Sequence, residues 1–150
     1  MGDITVYLSG EIHTDWRDHI RIACDGLPIR FVGPVTDHAS SDDCGVRILG
    51  EQADPFWHDH VSAKVNAIRN RHLLSQADVV VVRFGDRYKQ WNAAFEAGQA
   101  AASGTTLITL HADEHRHALK EIDATALATC STPAQVADTL RYILTGELPG

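Results

Sequence analysis

Cysteine is scarce in this sequence, and no long hydrophobic run is present. The three cysteines, Cys24, Cys44 and Cys130, are odd in number and widely spaced, with no C-x-x-C pair. This excludes a disulfide framework and a cysteine-rich zinc site, and it favours the reducing cytoplasm as the location. No stretch approaches the ~20 apolar residues that span a bilayer, and the first residues lack the basic start and apolar core of a signal peptide.

Basic residues are also few. Lys and Arg number 13 against 20 Asp and Glu, which gives a formal net charge of -7, and no basic block occurs. Such a surface repels duplex DNA and anionic membranes, so we expect neither as a partner. The motifs G-x-G-x-x-G and G-x-x-x-x-G-K-[ST] are absent as well. Their absence disfavours dinucleotide oxidoreductases and NTPases, and we expect no cofactor.

The sequence has instead the composition of one globular domain. The chain has 150 residues, of which 44% are hydrophobic and 22% charged. A chain of this length buries roughly 68–70% of its unfolded surface. No linker, repeat or charge block interrupts it, so we expect a single domain over residues 1–150.

Strand and helix patterns alternate along the whole chain. Strands are predicted at 4–8, 29–32, 79–82, 107–110 and 126–130, and helices at 14–24, 55–75, 88–103, 114–121 and 133–144, with Thr14 and Thr132 as N-caps and a loop over 36–50. Parallel strands need crossovers of this length, so the pattern predicts an α/β fold: a flavodoxin-like, doubly wound sheet of five parallel strands in the order 2-1-3-4-5, with helices on both faces. Ligands bind such sheets beyond the carboxyl ends of the strands, which points to residues 9–13, 33–34 and 84–87.

The helix predicted at 88–103 has two apolar sides. One side, which we expect to pack on the sheet, consists of Trp91, Ala94, Phe95, Gly98 and Ala102. The other side consists of Ala93, Ala97 and Ala100 and indicates a contact with a second subunit. A polar stripe that includes Asn92 and Glu96 runs between them. The pattern therefore predicts a homo-oligomer with Glu96 in a partly closed cleft; the alternative is a solvated Glu96 in an alanine-rich helix.

Two segments resemble nucleoside 2-deoxyribosyltransferase-like proteins: Ala94-Phe95-Glu96-Ala97-Gly98 and Val6-Tyr7-Leu8-Ser9-Gly10. The chain resembles the YtoQ family of small bacterial proteins more closely and nearly end to end, through Tyr7-Leu8-Ser9-Gly10-Glu11-Ile12-His13, Phe31-Val32-Gly33-Pro34 and Tyr88-Lys89-Gln90-Trp91-Asn92. The broader superfamily implies that Glu96 attacks the anomeric carbon of a nucleoside and forms a covalent glycosyl intermediate, and that Tyr7 positions this carboxylate. Tyr7 has an alternative interpretation as a core aromatic residue of its strand.

The chain departs from the superfamily pattern at two places. Asn92-Ala93 stands where the superfamily often has Gly and Thr or Ser, and Asn70 aligns near the aspartate that contacts the base in some deoxyribosyltransferases. Asn70 can read a base edge by donating and accepting hydrogen bonds, but it cannot deliver a proton as an acid.

Further ligand-binding candidates surround these motifs. A phosphate or ribose subsite at the start of the first helix is predicted from Ser9, Gly10, His13 and Arg17, the alternative for Arg17 being a surface residue. Glu11 supplies either a second carboxylate or an acidic group of the kind favoured at a helix N-terminus. The remaining candidates end the second strand or frame a sugar or base: Gly33, Asp86, Lys89, Trp91 and Asn92. Trp91 has core packing as its alternative.

Nine histidines are an unusual count. Three of them, His111, His115 and His117, cluster after the fourth strand, and His58 and His60 flank Asp59. No H-E-x-x-H motif accompanies either group, so we assign no metal ligand.

These features predict an enzyme of the N-glycosidic bond, transferase or hydrolase, that acts on a small-molecule nucleoside or nucleotide. A non-catalytic nucleotide- or nucleoside-derivative-binding module is the alternative, and a metal-dependent hydrolase is the third. Catalysis requires Glu96 to lie in the crevice near Tyr7, whereas binding alone does not.

Overall fold

The computed structural model describes residues 2–150 of the protein. These residues form two compact units: one runs to Val32 and resumes over Ala77–Gly150, and the other is Gly33–Gln76. The single domain expected from the chain length stays a prediction. None of the helices formed by residues 2–150 combines the length and apolar character that a membrane span needs.

The first unit is built on a parallel sheet. Its strands are β1 (Ile4–Gly10), β2 (Ile29–Val32), β3 (Val79–Arg83), β4 (Thr106–Leu110) and β5 (Ala128–Cys130). Their order is β2-β1-β3-β4-β5, and every neighbouring pair is parallel, so the predicted flavodoxin-like fold class is confirmed. The winding direction reverses between β1 and β3, where Ser9 lies opposite Val82 and Gly10 opposite Arg83.

Residues 2–150 form six α-helices. They are α1 (Trp16–Ala23), α2 (His38–Leu49), α3 (Pro55–Ser75), α4 (Trp91–Ala102), α5 (Lys120–Thr125) and α6 (Pro133–Thr145), and a short 3₁₀ helix covers Asp113–His115. Of these, α2 and α3 belong to the second unit.

Alternation along the strands gives the sheet two different faces. Val6 and Leu8 of β1 lie on the face covered by α1 and α6, where they join a core with Trp16, Ile20 and Leu140. Their neighbours Tyr7 and Ser9 therefore lie on the opposite face, on which α4 packs. This arrangement brings the polar end of β1 against α4.

The α4 helix packs on the sheet through its alanines and not through its aromatic residues. Ala93, Ala97 and Ala100 are buried, whereas Trp91 is 77% and Phe95 64% exposed. The predicted orientation of this helix is therefore wrong. Core packing of Trp91 and a subunit contact through Ala93 and Ala97 are wrong for the same reason. Small side chains let the helix backbone lie close to the strands. The prediction relied on the size of each apolar face, which does not show how closely that face can pack.

The second unit contains a helix where the sequence predicts a loop. Helix α2 covers most of residues 36–50, so that prediction is wrong. Asp37 caps α2 by accepting a hydrogen bond from the Ser40 N–H at 3.0 Å. Gly45 lets α2 pack on α3, because the Ser62 backbone lies where a side chain would begin, and the Gly45 N–H donates to Ser62 Oγ at 2.9 Å. The polar residues 40–43 hide the helix from a search for apolar periodicity, and contact with α3 stabilises it.

Two helix starts differ from their predicted positions. The first helix begins at Trp16 and not after Thr14, whose hydroxyl donates to Glu11 Oε2 at 2.7 Å. Similarly, α4 begins at Trp91, because the Gln90 side chain turns back to accept the N–H of Gly85 at 2.9 Å.

The C-terminal elements are partly as predicted. The helix predicted over 114–121 is wrong in extent, since this segment forms the 3₁₀ helix, a turn and the start of α5. The last helix has the predicted cap: Thr132 Oγ1 accepts a hydrogen bond from the Gln135 N–H at 3.2 Å. α3 has the predicted bounds.

Candidate active site

Glu96 lies on α4 with one carboxylate oxygen, Oε2, enclosed by protein. Tyr7 and Ser9, which are 0% and 1% exposed, share the face of β1 that α4 covers. Burial raises the pKa of Glu96 above its usual range, and hydrogen bonding from Ser9 and Tyr7 together with the positive charge of Arg17 partly opposes that rise. A half-buried carboxylate with two hydroxyl neighbours is therefore present at the carboxyl end of β1.

The turn after β1 requires a glycine. Gly10 has a φ of 114°, and a Cβ at this position would lie 2.0 Å from the Arg83 carbonyl oxygen. The next residue uses the same carbonyl, since the Glu11 N–H donates to Arg83 O at 3.1 Å. Gly10 thus lets the chain turn at the end of β1 while its backbone stays close to the end of β3.

The Glu11 carboxylate is engaged on both oxygens. Oε1 accepts the His13 N–H at 2.7 Å, and Oε2 accepts the Thr14 hydroxyl at 2.7 Å and Arg83 Nε at 3.3 Å. Burial raises the pKa of Glu11, but these hydrogen bonds and the charge of Arg83 outweigh it and hold the pKa below the usual range. Gly85 gives this side chain room, because a Cβ there would lie 2.6 Å from Glu11 Cγ. The geometry favours the interpretation of Glu11 as an acidic group that organises the start of α1.

Arg17 is buried, so the alternative of a surface residue is wrong. Its guanidinium donates to the main-chain carbonyls of Leu8, Gly10 and Glu11. Burial lowers its pKa to about 10, and the negative charge of Glu11 opposes this effect, so the side chain stays cationic at neutral pH. These hydrogen bonds leave one guanidinium N–H for a phosphate, so a bidentate contact between Arg17 and a phosphate would require some of them to break.

Aromatic and charged side chains line the exposed rim beside this cluster. The His13 ring lies 4.8 Å from the Tyr88 ring, centroid to centroid. Three of the predicted ligand residues, Lys89, Trp91 and Asn92, are exposed around the first turn of α4. The structure thus brings His13 close to the loop that leads into α4.

Two predicted ligand residues belong to the second unit. The Gly33 carbonyl accepts a hydrogen bond from Arg69 Nη1 at 2.8 Å, and Asn70 is half-buried on α3. Their part in ligand binding stays a prediction.

Two of the histidines after β4 pair with different aspartates. His111 is buried, and its Nε2 lies 2.8 Å from Asp123 Oδ2, which ties α5 to β4. His115 Nε2 lies 2.8 Å from Asp86 Oδ1 and 3.9 Å from Glu114 Oε1. Asp86, Glu114 and His115 are the one group of residues 2–150 that brings three potential metal-ligand atoms within 4.8 Å. Within this group, Asp86 and His115 are joined by a hydrogen bond.

Sequence reasoning missed Arg83 and Tyr88. Arg83 pairs with Glu11 across 72 residues of chain, and Tyr88 meets His13 only because β1 and β3 are neighbours. No local pattern signals either contact. The rule that ligands bind beyond the carboxyl ends of the strands selects residues 84–87, which lie between Arg83 and Tyr88.

The chain is similar in sequence to known proteins. A sequence model of the family described as "Nucleoside 2-deoxyribosyltransferase YtoQ" matches residues 7–144. The chain is 38% identical over 147 residues to the uncharacterized protein YtoQ of Bacillus subtilis (strain 168), covering 97% of this chain and 99% of that protein.

Two solved structures share the fold. A conserved protein from Enterococcus faecalis V583 superposes with a TM-score of 0.64 at 15% identity, covering 95% of this chain and 100% of that one. A 2-deoxyribosyltransferase from the psychrotolerant bacterium Bacillus psychrosaccharolyticus superposes with a TM-score of 0.55 at 14% identity, covering 89% of this chain and 90% of that one. The match to the family model and the near full-length identity show that the chain belongs to the nucleoside 2-deoxyribosyltransferase YtoQ family.

Proposed function

We propose that this protein is an enzyme that breaks the N-glycosidic bond of a nucleoside or nucleotide, with Glu96 as the nucleophile. The observation that carries the proposal is the half-buried Glu96 carboxylate, whose Oε2 is enclosed by protein on the helix that covers Tyr7 and Ser9 of β1. The family name and the 2-deoxyribosyltransferase among the structural neighbours support this substrate class.

The reaction proceeds in two balanced steps. A Glu96 oxygen attacks the anomeric carbon of the sugar, the bond from that carbon to the base nitrogen breaks, and its electron pair leaves with the base, which takes up a proton. The resulting glycosyl ester is then attacked at the same carbon by a nitrogen of a second base or by water. The ester bond breaks, the attacking group loses a proton, and the carboxylate is restored.

Tyr7 and Ser9 orient the nucleophile. Their hydroxyls stabilise the ionised form of Glu96 by hydrogen bonding, and burial keeps competing water away from the carboxylate. Since the ionised form attacks, and burial raises the pKa of Glu96, turnover should fall on the acid side at a higher pH than an exposed glutamate would give.

A panel of nucleosides and 5′-monophosphates tests this proposal. Free base is measured by chromatography with and without a second base. Release only with an acceptor identifies a transferase, and release without one identifies a hydrolase. Glu96→Gln should lower turnover by orders of magnitude, whereas Tyr7→Phe, which removes one hydrogen bond worth about 0.5–1.5 kcal/mol, should cost roughly tenfold. A 2-fluorinated sugar nucleoside should leave a mass adduct on Glu96, because it slows the second step.

The same panel distinguishes the other functions. Full activity in Glu96→Gln would contradict the covalent mechanism. Nucleotide binding without any product would favour a non-catalytic binding module. Turnover that EDTA abolishes would favour a metal-dependent hydrolase.

A further inference from the structure

Arg17 is a buried cation that contacts main chain instead of a carboxylate. It is 6% exposed, and the arginine ion pairs within residues 2–150 involve Arg21, Arg83 and Arg116 but not Arg17. Its Nε and Nη2 donate to Leu8 O at 3.3 and 3.2 Å, Nη2 donates to Gly10 O at 3.3 Å, and Nη1 donates to Glu11 O at 2.6 Å. Four of the five N–H groups of the guanidinium are therefore engaged.

These carbonyls lie on both sides of Ser9. Leu8 precedes Ser9 and Gly10 follows it, so the guanidinium holds the peptide groups that set the direction of the Ser9 side chain. Ser9 is buried on the face of β1 that α4 covers, and its hydroxyl favours the ionised form of Glu96. A planar guanidinium can hold several carbonyls at once, whereas the ammonium group of a lysine is a point charge and cannot reproduce the fork.

Arg17 also acts on Glu96 through its charge. Glu11 and Arg83 at the same end of the sheet pair with each other at 3.3 Å. Within residues 2–150, Arg17 is the cation whose charge stabilises the ionised form of Glu96, beside the hydroxyls of Ser9 and Tyr7.

We propose that Arg17 is a positioning residue for the nucleophile: it orients Ser9 through the carbonyls on either side and supplies a buried positive charge at the carboxyl end of β1. The inference rests on the proposed role of Glu96. It replaces direct phosphate binding as the role of Arg17. It predicts that Arg17 affects both the geometry around Ser9 and the charge state of Glu96, and two substitutions separate these effects.

The test compares Arg17→Lys, Arg17→Gln and the control Arg21→Gln. Arg21 lies on the same helix and pairs with Asp18 at 3.3 Å, so its substitution removes a similar charge without touching residues 8–11. The pH profile of kcat/KM is measured for each variant. Arg17→Lys keeps the charge but loses the fork, so it should lose roughly 10- to 100-fold in kcat/KM with its acid limb near that of the wild type. Arg17→Gln should lose rate and also shift the acid limb to higher pH. Arg21→Gln should do neither.

A measurement independent of turnover accompanies the profiles. In protein labelled with ¹³C-glutamate, the Glu96 carboxyl resonance is assigned by its absence in Glu96→Gln, and its titration midpoint is followed in each variant. The midpoint should move to higher pH in Arg17→Gln and stay unchanged in Arg21→Gln.

The outcomes separate this inference from the proposed function. A shifted midpoint in a protein that turns over no nucleoside would support the effect of Arg17 on Glu96 and contradict the proposed reaction. Turnover with an unshifted midpoint in Arg17→Gln would overturn the inference. If Arg17→Gln does not fold, wild-type kcat/KM in Arg17→Lys still overturns it.

Discussion

At the scale of single residues, two glutamates at the same end of the sheet have opposite environments. Glu11 receives hydrogen bonds from a backbone N–H, a hydroxyl and an arginine, so its charged form is stabilised although the residue is buried. Glu96 is dominated by burial, so its charged form is destabilised. The first pattern is typical of a group that stabilises structure, and the second is found at functional sites, as the proposed role of Glu96 requires.

The same substitution at the two positions should change stability in opposite directions at pH 7. Glu11→Gln should lower the free energy of unfolding by roughly 1–3 kcal/mol. The amide NH₂ of glutamine is a donor and would face the groups that now donate hydrogen bonds to the carboxylate. Glu96→Gln should raise the free energy of unfolding, because it removes the burial of a charge. Urea unfolding of both variants and the wild type at pH 7 measures the two effects.

The pH dependence of these differences follows from the direction of each pKa shift. The folded pKa of Glu11 is depressed, so its stabilisation is present above the unfolded pKa of about 4.3 and is lost as the pH falls through the folded pKa. The folded pKa of Glu96 is raised, so the cost of its charge is complete above the folded pKa and vanishes as the pH falls to the unfolded value. Both variants should therefore approach the wild type in acid. A Glu96→Gln protein less stable than the wild type at pH 7 would mean that the carboxylate stabilises the fold.

At the scale of elements, close packing of α2 on α3 depends on Gly45. A Cβ at Gly45 would lie 2.4 Å from the backbone nitrogen of Ser62 and 2.5 Å from the backbone carbon of Val61. Gly45→Ala should force the helices apart and cost roughly 1–3 kcal/mol in the free energy of unfolding. Thermal and urea unfolding monitored by circular dichroism measure this loss.

Gly98 in α4 is the matched control, because a Cβ there would meet nothing within 4 Å. Gly98→Ala should stabilise the protein by up to ~1 kcal/mol through helix propensity alone. Equal effects of the two substitutions would show that the contact between α2 and α3 is not close in solution.

The elements predicted from sequence are those with local signals. β3 is a continuous apolar run, and α3 and α6 each begin with a capping residue followed by proline, at Asp54-Pro55 and Thr132-Pro133. α2 has a capping residue too, but its polar first turns show no apolar period, and its stability comes from α3. The periodicity of apolar residues could not predict the orientation of α4 for a related reason. It favours the aromatic face, which has the larger apolar area, whereas the alanine face allows closer packing on the sheet.

The candidate site was predictable in part. Resemblance to a family selects Glu96 and Tyr7, and the rule for parallel sheets selects the turn after β1. The hydrogen bonds of Arg17 and the pairing of Glu11 with Arg83 depend on the three-dimensional arrangement of β1, α1 and β3, which no spacing in the sequence encodes.

At the scale of the whole molecule, the sheet gathers the site from elements distant in sequence. β1 supplies Tyr7 and Ser9, α1 supplies Arg17 and α4 supplies Glu96. Each group stands on a regular element or directly beside one, which keeps its geometry fixed. The exposed side of α4 remains outside this arrangement and carries Trp91 and Phe95 one turn apart.

Self-association stays a prediction, and we now assign it to this exposed side of α4. Exposed aromatic residues are enriched at subunit contacts, and Phe95 has no role in the proposed chemistry. In sedimentation velocity at micromolar concentration, the wild type should sediment as an oligomer and Phe95→Lys as a smaller species. Ile22→Lys is the control, because Ile22 is 73% exposed on α1 and should leave the sedimentation coefficient unchanged. A monomeric wild type would contradict self-association, and equal behaviour of the two variants would contradict its location. Because Glu96 adjoins Phe95 in the chain, turnover measured on dilution of the wild type would then show whether the contact also closes the cleft over the nucleophile.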